Sequence, residues 1–69
     1  MKLYFTTKPD KDGCTQSAEI DFDRNRIYPN ASPSADAETV TVSKKHLNNI
    51  ITLAGVNGYT TVLRIGGQA

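Results

Sequence analysis

Apolar and polar side chains alternate from the first residues. Leu3, Phe5 and Thr7 interleave with Lys2, Tyr4 and Thr6, the two-residue period of a half-buried strand. Pro9-Asp10-Lys11-Asp12-Gly13 then concentrates turn residues, with Pro fixing φ and Gly free to take a positive φ, and predicts a hairpin. From Gln16 to Asp23 the alternation resumes, Ala18, Ile20 and Phe22 on one side and Glu19, Asp21 and Asp23 on the other. Setting Leu3 opposite Ile20 and Phe5 opposite Ala18 brings the two apolar faces together, so burial specifies that register. Asp23-Arg24-Asn25-Arg26 predicts a second tight turn, with Asn25 left-handed and Phe22 paired with Ile27.

Periodicity is lost where Pro, Ala, Ser and Asp predominate, and residues 29–38 are expected to form a mobile loop. Thr39 to Ser43 alternate again, Val40 and Val42 against Thr39 and Thr41. Ser43 is a good helix N-cap, and Leu47, Ile50, Ile51 and Ala54 follow at the spacing of one buried helical stripe, with Gly55 as the expected end. Asn57-Gly58 turns the chain, Tyr59 to Ile65 reads as a last β-branched strand, and residues 66–69 as a flexible tail. The chain order is thus β-β-β-β-α-β. A small, mainly antiparallel sheet of four to five strands with one helix packed on a face, an α+β fold, lets the helix stripe and the apolar sheet face bury each other. Phe22 and Ile50 are expected core positions at which a buried charge abolishes folding.

With 69 residues, the chain is read as a single domain, 1–69. Its 38% hydrophobic and 22% charged content is that of a globular protein. For so short a chain, conformational entropy of about 1.5 kcal/mol per ordered residue nearly offsets what burial contributes. Cys14 is the only cysteine and His46 the only histidine, which excludes an internal disulfide and argues against a structural zinc site. A homo-oligomer is therefore expected. Polar Thr6-Thr7-Lys8 follows the short apolar start, and no apolar run nears the roughly 20 residues of a membrane helix. The expectation is a cytoplasmic protein without a membrane partner.

Charge is unevenly distributed. Residues 1–38 hold five Lys/Arg and all seven Asp/Glu, whereas the rest of the chain carries Lys44, Lys45 and Arg64 and no acid. Lysines in a first helical turn oppose the helix dipole by roughly 0.3–1 kcal/mol each, a conflict that a bound anion removes. Ser43, Lys44, Lys45 and His46 at the helix start, with Arg64 from the last strand, are thus a candidate anion site; the simpler reading is that the lysines extend into solvent. Glu19, Asp21 and Asp23 form an acidic row, read as a solvated strand face that offers a patch to a basic partner. Asp10, Asp12, Gly13 and Glu19 mimic part of a calcium loop, but Lys8 occupies the first ligand position and rules that reading out.

His46 and Cys14 lack a third group to orient them as base and nucleophile, and no catalytic, metal or cofactor motif is found. Tyr4, Tyr28 and Tyr59 fall at strand ends or on the polar sheet face, where tyrosines supply contact area at low entropic cost. The function read from the sequence is that of a small non-enzymatic binding protein, of accessory or inhibitor type, which occupies the surface of another protein. Its contacts are assigned to Tyr4, Tyr28, Tyr59, Glu19, Asp21 and Asp23. The alternative reading is a binder of a nucleotide or nucleic-acid phosphate at the helix start.

Overall fold

A computed structural model describes residues 1–63. Along the chain lie β1 (Lys2–Thr7), β2 (Ser17–Asp21), β3 (Arg26–Pro29), β4 (Glu38–Val42), α1 (Lys44–Val56) and β5 (Thr60–Thr61). All five strands join one sheet, in the spatial order β4-β1-β2-β3-β5. The result is a small α+β fold, but the sheet is mixed rather than mainly antiparallel, and its strands do not lie side by side in chain order. Hairpin connections at residues 8–16 and 22–25 make β1, β2 and β3 antiparallel neighbours, while β4 runs parallel to β1 and β5 parallel to β3. Parallel neighbours need a crossover. Residues 30–37 supply one, carrying the chain from β3 past β2 and β1 to the far edge, and α1 supplies the other on the way back. Because the loop crosses one face and the helix returns across the opposite face, the two crossovers share one hand.

The register of β1 on β2 follows the apolar pattern, Leu3 opposite Ile20 and Phe5 opposite Ala18. The second hairpin is corrected by two residues: Ile20, not Phe22, pairs with Ile27, and the loop is Phe22 to Asn25. The Asp21 carboxylate sets this turn, accepting from the N–H groups of Asp23 at 3.1 Å and Arg24 at 3.2 Å. A two-residue shift preserves side-chain parity, so Ile27 still faces the helix. Asn25 is left-handed as expected, at φ 53°. A β-branched side chain fits that region poorly. Asn25→Val is expected to cost about 1–3 kcal/mol in urea unfolding and Asn25→Gly to be close to neutral.

Under α1, Ala18, Ile20 and Ile27 meet Leu47 and Ala54, with Phe5, Val42, Ile50, Ile51 and Tyr59 packed around them. Ile27 and Leu47 are the largest fully buried apolar side chains. Phe22 lies at the margin, 37% exposed, because the shifted hairpin places it in the turn instead of the strand. The helix begins as its sequence requires, Ser43 Oγ accepting from the His46 N–H at 3.1 Å. Its end is not Gly55, which stays helical. Asn57 caps it, and Gly58 takes the left-handed φ of 84°. Gly58 N–H then donates to Gly55 O at 3.1 Å and Tyr59 N–H to Ala54 O at 2.9 Å, the double closure of a Schellman cap. β5 is seen as two residues of the expected Tyr59–Ile65 strand. The expected tail 66–69 and Arg64 lie outside the described residues.

Candidate functional site

On the sheet face away from α1, the expected acidic row is not a solvated surface. Glu19 is fully buried and Asp21 only 3% exposed. The cause is the 30–37 crossover. Ser34 donates to the Glu19 carboxylate twice, from its N–H at 2.7 Å and its Oγ at 2.8 Å. Asn30 N–H donates to Ser17 O at 2.8 Å, Ser17 Oγ donates to Ala31 O at 3.2 Å, and the Lys2 ammonium meets Asp36 at 3.4 Å. Asp21 is occupied by the hairpin turn and has the Arg24 guanidinium 3.9 Å away. Of the row, only Asp23 is exposed, paired with the Met1 ammonium. Tyr28 is buried as well. Glu19, Asp21 and Tyr28 are therefore closed to a partner in this structure, whereas Tyr4 and Tyr59 are half-buried.

The helix start contributes Ser43 and Lys44 to a groove of about 450 Å³, shared with Thr7 and Lys8 from the end of β1 and with Asp10 and Cys14 from the following turn. Lys45 and His46 are exposed on α1 and do not line it. The Ser43 hydroxyl is already engaged as the cap. Asp10 brings a negative charge: N–H donors from Cys14 at 3.0 Å and Asp12 at 2.8 Å hold its carboxyl below the usual aspartate range, with the Lys44 charge acting in the same direction. A lining with two lysines and an ionised aspartate is mixed in sign, which weakens its attraction for an anion.

A second groove, about 460 Å³, has a different character. Phe5 and Ile20 form its floor on the sheet, Phe22 and Tyr59 one wall, and Ile50, Leu53 and Ala54 the helical wall, with Asn57 at the end. Phe22 and Tyr59 meet edge to face at 6.2 Å, so each ring holds the other in place. The Schellman cap positions Tyr59 by turning the chain sharply back toward Ala54. Leu53 stands 58% exposed at this groove, and Val56 lies 77% exposed near the same end of the helix. Among the described residues that line the groove, the Tyr59 hydroxyl is the only ionisable group, and the rest of this lining suits an apolar side chain. Of this surface, the sequence reading named Tyr59 as a contact and missed the rest. The available signal was Leu53 and Val56, apolar positions outside the four-residue stripe that the helix needs for its own packing.

Among the described residues, no group of three or more His, Cys, Asp or Glu side chains converges as a metal site. No described helix is long and apolar enough to cross a membrane. Comparisons with protein-family models, with curated proteins and with solved structures each find no match for this chain.

Proposed function

We propose that this is a small, non-enzymatic binding protein that acts by occupying the surface of a partner protein, with the groove between α1 and the Phe22–Tyr59 pair as its contact. The observation that carries this reading is the apolar groove itself, flanked by an exposed leucine that the fold does not need. Exposed apolar surface beside a formed groove is the usual mark of an interaction site. The occupant it suits is a leucine, methionine or aromatic side chain projecting from a partner peptide segment, with hydrogen bonding available at Asn57 and the Tyr59 hydroxyl.

Selection of random displayed peptides against the full chain tests it. Peptides bearing an apolar anchor are expected to be enriched, and Leu53→Glu to weaken their binding at least about tenfold, equal to ~1.4 kcal/mol, while the urea midpoint stays near the parent value. Equal binding to the Leu53→Glu protein, or selected peptides without apolar anchors, rejects the assignment.

The second reading, capture of a phosphate-bearing ligand at Ser43 and Lys44, gains Lys8 in the same groove and is opposed by Asp10 there. Single-stranded oligonucleotide titrations distinguish it, since phosphate contacts give a steep salt dependence that apolar docking lacks.

A further inference from the structure

The far edge of the sheet is built differently from its opposite edge. β5 is two residues long, whereas β4 runs five, Glu38 to Val42, in unbroken register with β1 and, among the described residues, with no other strand. Its outer side is open: Glu38, Thr39, Val40 and Thr41 are all exposed. Thr39-Val40-Thr41-Val42 is β-branched throughout and has none of the devices that keep sheet edges apart, neither a proline, nor a lysine, nor a bulge. Such an edge is a template for another strand.

Charge selects the occupant. Asp36 and Glu38 lie at the start of β4, and Lys44 and Lys45 just beyond its end. An antiparallel pair of identical strands sets start against end, so the acids of each copy meet the lysines of the other. A parallel pair would set like charge against like. With Val40 on the two-fold axis, Val40 faces its own copy, Thr39 faces Thr41 of the second copy, and Glu38 faces Val42 of the second copy. Side-chain parity is kept, so the valines stay on the helix face and the threonines pair on the other. Just past that pair, Lys44 at the start of α1 comes next to Glu38 of the second copy, while Asp36, in the turn before β4, stays paired with Lys2 of its own chain. The helix packs chiefly over β1, β2 and β3, and of β4 only Val42 reaches its core cluster, so the exposed stretch Glu38–Thr41 is left to a second strand.

We propose that β4 is a self-association edge: two copies of this chain pair β4 against β4, antiparallel about Val40, joining two five-stranded sheets into one of ten strands. The contact is separate from the apolar groove, which stays open in the dimer. It also explains how so small a core is supported, since pairing orders two edges at once.

Sedimentation equilibrium of the full chain at low salt tests this. A dimer is expected. Glu38→Lys should weaken it at least about tenfold by setting lysines against lysines, and the double variant Lys44→Glu with Lys45→Glu should weaken it similarly by setting acids against acids. Mixing the two variants should restore a heterodimer, because the introduced lysine at one end then meets the introduced glutamates, and at the other end the unchanged Glu38 meets the unchanged Lys44 and Lys45, with Asp36 held by Lys2 of its own chain. All three positions are exposed, so these variants retain the fold, and a cooperative melt checks that they do. Val40→Lys should also give monomer. The proposal is overturned by a monomeric parent protein, by a dimer indifferent to Glu38→Lys and Val40→Lys, by a dimer lost instead on Leu53→Glu, or by failure of the two charge variants to associate.

Discussion

Leu47→Asp is expected to leave the chain without a cooperative unfolding transition. Leu47 is 1% exposed and packs where α1 meets Ala18, Ile20 and Ile27. None of those neighbours can hydrogen-bond a carboxylate, and an unpaired charge buried there costs several kcal/mol. At ~0.05–0.15 kcal/mol per residue, the whole stability of a chain this short is roughly 3–10 kcal/mol, so the loss is of the same size as the total. Leu47→Ala, which removes packing without adding charge, should cost about 2–5 kcal/mol and remain measurable by urea unfolding followed by circular dichroism. Phe22→Asp is the informative contrast. At 37% exposed it can hold a carboxylate in water, and the variant should fold with a lowered midpoint. Loss of all structure in Phe22→Asp would place the core where the apolar alternation alone had put it, and a native-like transition in Leu47→Asp would remove the helix stripe from the core altogether.

That contrast shows what the sequence could and could not convey. Alternation and burial determined the β1–β2 register, because slipping by one residue turns every apolar side chain outward. They could not separate Phe22 from Ile20 as the partner of Ile27, since a slip of two residues leaves the faces unchanged, and the choice was made by the Asp21 side chain closing the turn. The helix stripe and Ser43 cap were legible because both are local. Gly55 misled because composition does not reveal φ: Gly58 is the residue that takes the left-handed conformation. The parallel pairing of β4 with β1 depends on where a patternless loop delivers the chain, which no period encodes.

The candidate site was partly legible for the same reason. Tyr59 stood out as an aromatic near a strand end, and Ser43 and Lys44 as a helix start, all local features. The groove at Leu53 arises from three elements, the hairpin turn, the sheet and the last turns of α1, meeting in space. Its only trace along the chain was an apolar arc on the helix wider than the buried stripe. The acidic row failed in the opposite sense. A strand of period two shows which side chains share a face, but whether that face meets water depends on what crosses it.

Glu19→Ala tests that last step and is expected to release the crossover loop. The carboxylate is fully buried and takes two hydrogen bonds from Ser34, which sits near the middle of residues 30–37. Removing it strands a backbone N–H and a hydroxyl under the loop, and a lost charge-assisted bond of this kind costs about 1.5–3 kcal/mol. Holding the loop matters beyond its own order, because the same segment delivers β4 to the edge of β1. Two readouts follow: a urea midpoint lowered by that amount, and faster amide exchange at Ser34, extending through Glu38–Val42 as the edge strand loosens. Glu19→Gln keeps one carbonyl acceptor for the Ser34 N–H, and the Ser34 hydroxyl can rotate to accept from the new amide, so its loss should be smaller. Ser34→Ala retains the N–H bond and gives up only the hydroxyl one. Combined with Glu19→Ala in a double-mutant cycle, it should show strong coupling, the second substitution adding little to the first. If Glu19→Ala left exchange across the loop and β4 unchanged, the crossover would owe its position to the strands it joins, and the buried carboxylate would be a passenger beneath it.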